Sequence, residues 1–109
     1  MERFVKGDLV VVPFPLSNLT TTIKRPALVV AELDGDDRIL CQITSQAKDR
    51  HAIQITKNDC DDGGLHQVSN IRPSKIFTAD RSVIIRRVGH LKPEVVKTVT
   101  TKIIEVLSR

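Results

Sequence analysis

The stretch Thr20–Val30, TTTIKRPALVV, sets two cations and a proline at the mouth of an apolar run. Arg25 stands directly before Pro26, and a proline holds the residue before it extended. A guanidinium in that place either decorates a strand end or is held out toward an anion, since its planar fork matches a phosphate as the ammonium of Lys24 does not. Other residues able to do chemistry are scattered. His51, His66 and His90 share no spacing that would unite them as an acid–base pair. Cys41 and Cys60 form no CxxC and have no histidine at ligand spacing, so we expect no zinc site and no cofactor. Cys41, inside ILCQIT, reads as a core residue. Gly63-Gly64 lacks the strand-to-helix setting of a phosphate-binding loop.

Charge is uneven along the chain. The net charge is +4, yet residues 32–62 hold eight acids against four bases. Residues 72–92 carry Arg72, Lys75, Arg81, Arg86, Arg87 and Lys92 against Asp80 alone. Such a basic segment suits phosphates, and it equally suits a solvated surface. The only aromatics are three Phe, which argues against a stacking platform for single-stranded nucleic acid. No helix-turn-helix pair is visible, which weakens a reading in which the basic segment contacts operator DNA. An apolar share of 40% is globular, and 109 residues make one domain over 1–109. No apolar N-terminal segment and no 18-residue apolar run is present, so a cytoplasmic protein without membrane contact is expected.

The elements that must carry these residues are mostly short strands. Leu9–Phe14 is opened by Gly7-Asp8 and broken by Pro13 and Pro15. A polar loop, Ser17–Thr22, precedes a strand over Ala27–Ala31, whose unbroken apolar run predicts burial on both faces. Asp34-Gly35-Asp36 turns the chain into Ile39–Thr44, where Gln42 and Thr44 alternate with apolar neighbours. Ala52–Thr56 alternates likewise, and Asp61–Gly64 reads as a loop. Val68–Arg72 and Lys75–Thr78 read as two pieces parted by Pro73, followed by an extended piece in Val83–Leu91. Pro93 suits a first helical position and Glu94 the positive end of the helix dipole. Val95, Val96, Val99, Ile103, Val106 and Leu107 then form one apolar face, on a helix whose Val and Thr content requires docking. The fold class predicted is mainly β (α+β), a small twisted barrel with a C-terminal helix.

Four segments in order give this pattern a family likeness: GDLVVVPFP at Gly7–Pro15, KRPALVV at Lys24–Val30, LCQITSQ at Leu40–Gln46, and SNIRPSKIFTADRSVIIRRVGHL at Ser69–Leu91. Together they resemble the MazF/PemK family, the toxin halves of type II toxin–antitoxin systems. The resemblance implies an SH3-like barrel that pairs into a symmetric homodimer. It also implies metal-independent, sequence-selective cleavage of single-stranded RNA. The implied protein partner is a cognate antitoxin whose acidic tail blocks the RNA groove, with DNA reached only through that antitoxin.

Carried onto this sequence, the resemblance makes Arg25, Thr44 and Arg72 the catalytic set. Lys24, Ser45, Gln46, Ser74 and Lys75 are the expected RNA contacts. A guanidinium hardly deprotonates in a protein, so Arg25 is expected to stabilise the transition state by charge rather than to move a proton. Thr44 is expected to hydrogen-bond a phosphate oxygen. Some members follow the second arginine, two residues on, with an aspartate and add a histidine in the first loop. This chain has Ser74 there and no histidine in 17–22, so its motifs name no proton acceptor. The competing expectation is therefore a catalytically inactive barrel that binds RNA or the antitoxin only.

Overall fold

The computed structural model describes residues 3–15, 21–46 and 49–109. Seven strands and one helix follow in chain order: β1 (Asp8–Pro15), β2 (Thr22–Glu32), β3 (Asp37–Thr44), β4 (Ile53–Ile55), β5 (Cys60–Gly63), β6 (Ser69–Asp80), β7 (Arg86–Leu91) and α1 (Pro93–Leu107). The strands make one antiparallel sheet in the order β4-β6-β3-β2-β1-β7-β5. Ile55 lies on one edge strand and Cys60 on the other, yet both meet the same apolar cluster. The sheet must curl to allow that, and the fold is accordingly α+β: a curled antiparallel sheet with one C-terminal helix.

Side chains alternate across a strand, so a sheet buried on both faces needs two cores. Leu9, Leu28, Cys41, Ile43, Ile71 and Leu91 gather on the face covered by α1. Phe4, Val10, Val12, Ala27, Val29 and Leu40 gather on the other. The unbroken apolar run in β2 is thus buried on both sides, as its pattern predicts. From α1, Val96, Val99 and Ile103 enter the first core, and each buried side chain contributes about 2 kcal/mol. Pro93 and Glu94 stand in the first turn as predicted, but Leu107 is exposed, so the apolar face ends before the helix does. No helix among the described residues is long and apolar enough to cross a membrane.

Several boundaries differ from the sequence pattern, each for a physical reason. β1 continues through Pro13 and Pro15, because β7 pairs only with Asp8–Val11 and leaves the rest of that side without a registered partner. β2 starts at Thr22, since Lys24 and Arg25 pair with Pro13 and Val12 although their side chains are exposed. Of the predicted Ser17–Thr22 loop, residues 17–20 lie outside the described residues. Of Asp61–Gly64, expected as a loop, all but Gly64 belong to β5 (Cys60–Gly63), an edge strand on β7 with Gly63 opposite Gly89. A Cβ at Gly89 would come within 2.5 Å of the Gly64 backbone nitrogen, so the close approach requires glycine there. Val83 belongs to a 3-10 turn capped by Asp80, whose carboxylate accepts from the Ser82 N–H at 2.8 Å, and β7 starts only at Arg86.

The largest correction concerns β6, which is one strand rather than two pieces. Cys41 pairs with Ile76 and Ile43 with Ile71, so the single residue Gln42 faces four residues, Arg72 to Lys75. Pro73 falls within this bulge, where its missing N–H breaks no registered pair.

Candidate functional site

Exposed polar positions at the start of β2 meet the β5–β6 connection and β7 around a groove of about 920 Å³. Lys24 and Arg25 contribute from β2, Arg86 and Arg87 from β7, and Lys57 from the 3-10 turn before β5. His66, Gln67 and Ser69 complete its polar wall, and no carboxylate among the described residues lines it. Lys24, Arg25, Lys57 and Arg86 make no ion pair with any of the described residues. Four like charges facing one concavity repel until an anion enters, and the low-dielectric walls focus their field. Arg87 is different. Asp62 holds it through two bonds of 2.8 Å and Asp8 through one of 3.1 Å, which raises its pKa and lowers that of Asp62.

Asp8 is structural. Only 2% of it is exposed, and its carboxylate serves the Arg87 Nε, the His90 ring at 2.8 Å and the Val5 N–H at 2.9 Å. Removing one member of such a buried charge group typically costs about 3–5 kcal/mol. A second cavity of about 380 Å³, lined by Lys6, His90, Pro93 and Lys97 among others, borders this knot but contains none of the residues singled out on Lys24–Val30.

The remaining expected residues form another group. Thr44 ends β3 opposite Asn70, and its hydroxyl accepts from the Gln46 N–H at 3.2 Å, so the Thr44–Gln46 bend is partly a local turn. Ser45 and Gln46 are exposed there, as is Lys75 on β6. Arg72, on the bulge, donates from Nη1 to Gln42 Oε1 at 3.3 Å, and its Nε lies 3.5 Å from the Asp49 carboxylate. Ser74 donates to the same carboxylate at 3.2 Å. The Cys41 thiol donates to the Arg72 carbonyl at 3.0 Å, and burial pushes that thiol up to about 12. The Arg25 groove and the Arg72 bulge do not share a wall. The β2–β3 ladder comes near both: its last registered pair is Ala27–Gln42, two residues short of Arg25 on one strand and of Thr44 on the other.

Residues 5–107 match a family described as PemK-like, MazF-like toxin of type II toxin-antitoxin system. The chain belongs to this PemK/MazF family. Solved structures share its fold. A MazE–MazF structure from Deinococcus radiodurans is 20% identical with a TM-score of 0.79, covering 99% of this chain and 98% of that one. An endoribonuclease in complex with its cognate antitoxin, from a mycobacterial species, is 13% identical with a TM-score of 0.72, over 99% and 96% of the two chains. The Mycobacterium tuberculosis toxin MazF-mt6 is 14% identical with a TM-score of 0.67, over 91% and 96%. No curated protein matches the sequence.

Within this PemK/MazF chain, sequence motifs pointed to Lys24 and Arg25 but not to their groove partners. Lys57, His66 and Arg86 come from three other segments, and only the surplus of bases over 72–92 hinted at Arg86. Asp49 was missed as well. It lies 25 residues before Ser74, in no motif, and nothing local marks it. The His51 N–H, then Ser74 and Arg72, hold its carboxyl below the usual carboxylate range. No group of three or more His, Cys, Asp or Glu among the described residues is placed to hold a metal ion.

Proposed function

We propose that this chain is the toxin half of a type II pair and a sequence-selective endoribonuclease that cuts single-stranded RNA without a metal. The observation that carries this reading is the groove in which Lys24, Arg25, Lys57 and Arg86 face one concavity with no acid among the described residues of its wall. A backbone phosphate entering it places its non-bridging oxygens against Arg25, whose fork can hold two of them. The RNA 2′-oxygen then bonds to phosphorus as the P–O5′ bond breaks. Arg25 stabilises the added negative charge, and the Thr44 hydroxyl donates to a phosphate oxygen. His66 is the only imidazole on the groove wall, and we assign it the proton leaving the 2′-hydroxyl. Water protonates the departing 5′-oxygen. The products are a 2′,3′-cyclic phosphate and a 5′-hydroxyl.

In the same reading the curled sheet is an SH3-like barrel, two copies pair, and the protein works in the cytoplasm. The inhibitor is an antitoxin whose acidic tail meets the charge of the groove, and DNA is reached through that antitoxin. Ser45, Gln46 and Lys75 contact the RNA beyond the groove, and Ser74, which the motifs also suggested, gives its hydroxyl to Asp49 beside them.

The test is incubation of the purified chain with a long single-stranded RNA in EDTA, followed by mapping of the 5′ ends. Discrete cuts in the wild type and roughly 100-fold slower cutting by a folded Arg25→Ala variant are expected. RNA that stays intact with folded, antitoxin-free protein sinks the nuclease reading in favour of a barrel that only binds.

A further inference from the structure

The Arg72 guanidinium is held on two of its three nitrogens. Nη1 donates to Gln42 Oε1 at 3.3 Å, and Nε faces Asp49 Oδ2 at 3.5 Å. Nη2 has no partner among the described residues, and 29% of the side chain is exposed. A planar group fixed at two corners has its third edge aimed, which is the geometry of a cation prepared for a bound anion.

Asp49 does the aiming rather than being aimed. Its side chain is only 11% exposed. It is anchored by groups other than Arg72: the His51 N–H donates to Oδ1 at 2.9 Å and the Ser74 hydroxyl to Oδ2 at 3.2 Å. The longest of the three contacts is the one to Arg72, so the carboxylate would keep its place without the arginine. The bulge supports a purpose for this arrangement. Setting four residues of β6 against Gln42 gives up regular pairing in the middle of a sheet, and such bulges serve to re-aim a side chain. Arg72 opens this bulge, directly before the Pro73 that it also accommodates.

We infer that Asp49 is a positioning residue of the RNA site: its carboxylate, entering from the connection between β3 and β4, orients Arg72 so that Nη2 meets a substrate phosphate. This inference rests on the ribonuclease reading above. A merely structural Asp49 would tie the β3–β4 connection to β6, and its loss would show as reduced stability at any carboxylate geometry. Positioning requires instead a carboxylate at one point in space, whichever residue supplies it. Ser74 lies within hydrogen-bond reach of that point, so a longer acid there can deliver the charge from the other side.

The experiment moves the carboxylate. Cleavage of single-stranded RNA in EDTA is measured for the full chain, for Asp49→Ser, for Ser74→Asp alone, and for Asp49→Ser combined with Ser74→Asp. The Arg72 Nε–H signal is followed by NMR in each, without RNA. Asp49→Ser should lower kcat roughly 100-fold with KM little changed, and the Arg72 signal should broaden or vanish. The combined variant should recover most of the rate and the signal, although the bond from the His51 N–H is gone. Ser74→Asp alone should cut no faster than the wild type; faster cutting by that single variant means a new proton acceptor and overturns the inference. Unchanged cleavage and an unchanged Arg72 signal in Asp49→Ser overturn the inference. A folded Asp49→Ser variant whose loss is not repaired by Ser74→Asp overturns it too. A wild-type chain that cuts no RNA, with an Arg72 signal that follows the carboxylate, removes the ribonuclease reading and leaves the orientation of Arg72 by Asp49 standing.

Discussion

Two arginines lie near opposite ends of the β2–β3 ladder, and the fold treats them differently. Arg38, opposite Glu32 at one end, is 4% exposed and spends its donors on backbone carbonyls: Phe4 at 2.8 Å, Gly35 at 3.1 Å and Asp37 at 2.8 Å. Arg25, near the other end, is exposed, lines the groove and has no ion-pair partner among the described residues. A cation that closes a structure is surrounded by acceptors of fixed geometry. One that serves a ligand is left with its donors open, because any internal partner would compete with the ligand. Between these extremes sits Arg72, hydrogen-bonded through Nη1, ion-paired through Nε and open at Nη2 among the described residues.

The contrast between Arg25 and Arg38 can be broken most directly by truncating each. Arg25→Ala is expected to remove nearly all cleavage with the melting temperature unchanged. Arg38→Ala should do the reverse, lowering stability by about 2–3 kcal/mol through stranded carbonyls, visible as an earlier urea midpoint, while the folded fraction still cuts. If Arg38→Ala melts like the wild type, its bonds to Phe4, Gly35 and Asp37 are not holding the N-terminal segment, and the contrast fails.

A finer test separates cations within the groove. Arg86→Gln and Lys57→Gln should each weaken RNA binding and flatten the plot of log affinity against log salt, by about 0.7 for each phosphate no longer neutralised. Arg87→Gln should instead lower stability, because Arg87 is already engaged by Asp62 and Asp8. A salt slope that falls as much for Arg87 as for Arg86 would erase the distinction between paired and unpaired cations on one wall.

The smallest effect expected is chemical. Burial pushes the Cys41 thiol up to about 12, whereas Cys60 is half-buried and raised by burial together with Asp59, Asp62 and Asp61. Alkylation of the native protein near pH 7.5, followed by mass spectrometry, should label Cys60 slowly and Cys41 only after unfolding. Comparable labelling of both would show that the Arg72 carbonyl and its bulge open readily.

Apolar pattern alone makes much of this fold legible. Buried runs in β2 and β3, the turn at Asp34–Asp36, and the Pro93 start of α1 are all local signals, and all stand in the fold. Elements held mainly by backbone pairing were hidden. β5 has the acidic sequence CDDG and an exposed pattern, and nothing in it predicts a strand until β7 supplies the partner. Pro73 suggested a break in β6, since a proline in a strand normally marks one; only the mismatch with Gln42 shows how a bulge absorbs it. At the candidate site, Lys24 and Arg25 stood out because they adjoin Pro26, while Lys57, His66 and Arg86 had no such neighbour.

By itself, then, the sequence determined the family, the strand-rich class with a closing helix, and the arginine to watch. These rest on residue type and short-range order, which a chain carries whether or not it is folded. Only tertiary structure decided which cations stay unpaired, that Asp62 occupies Arg87, and that Asp49 stands beside Arg72. Pairing depends on distances across the sheet between residues tens of positions apart, and those distances exist only after the sheet has curled.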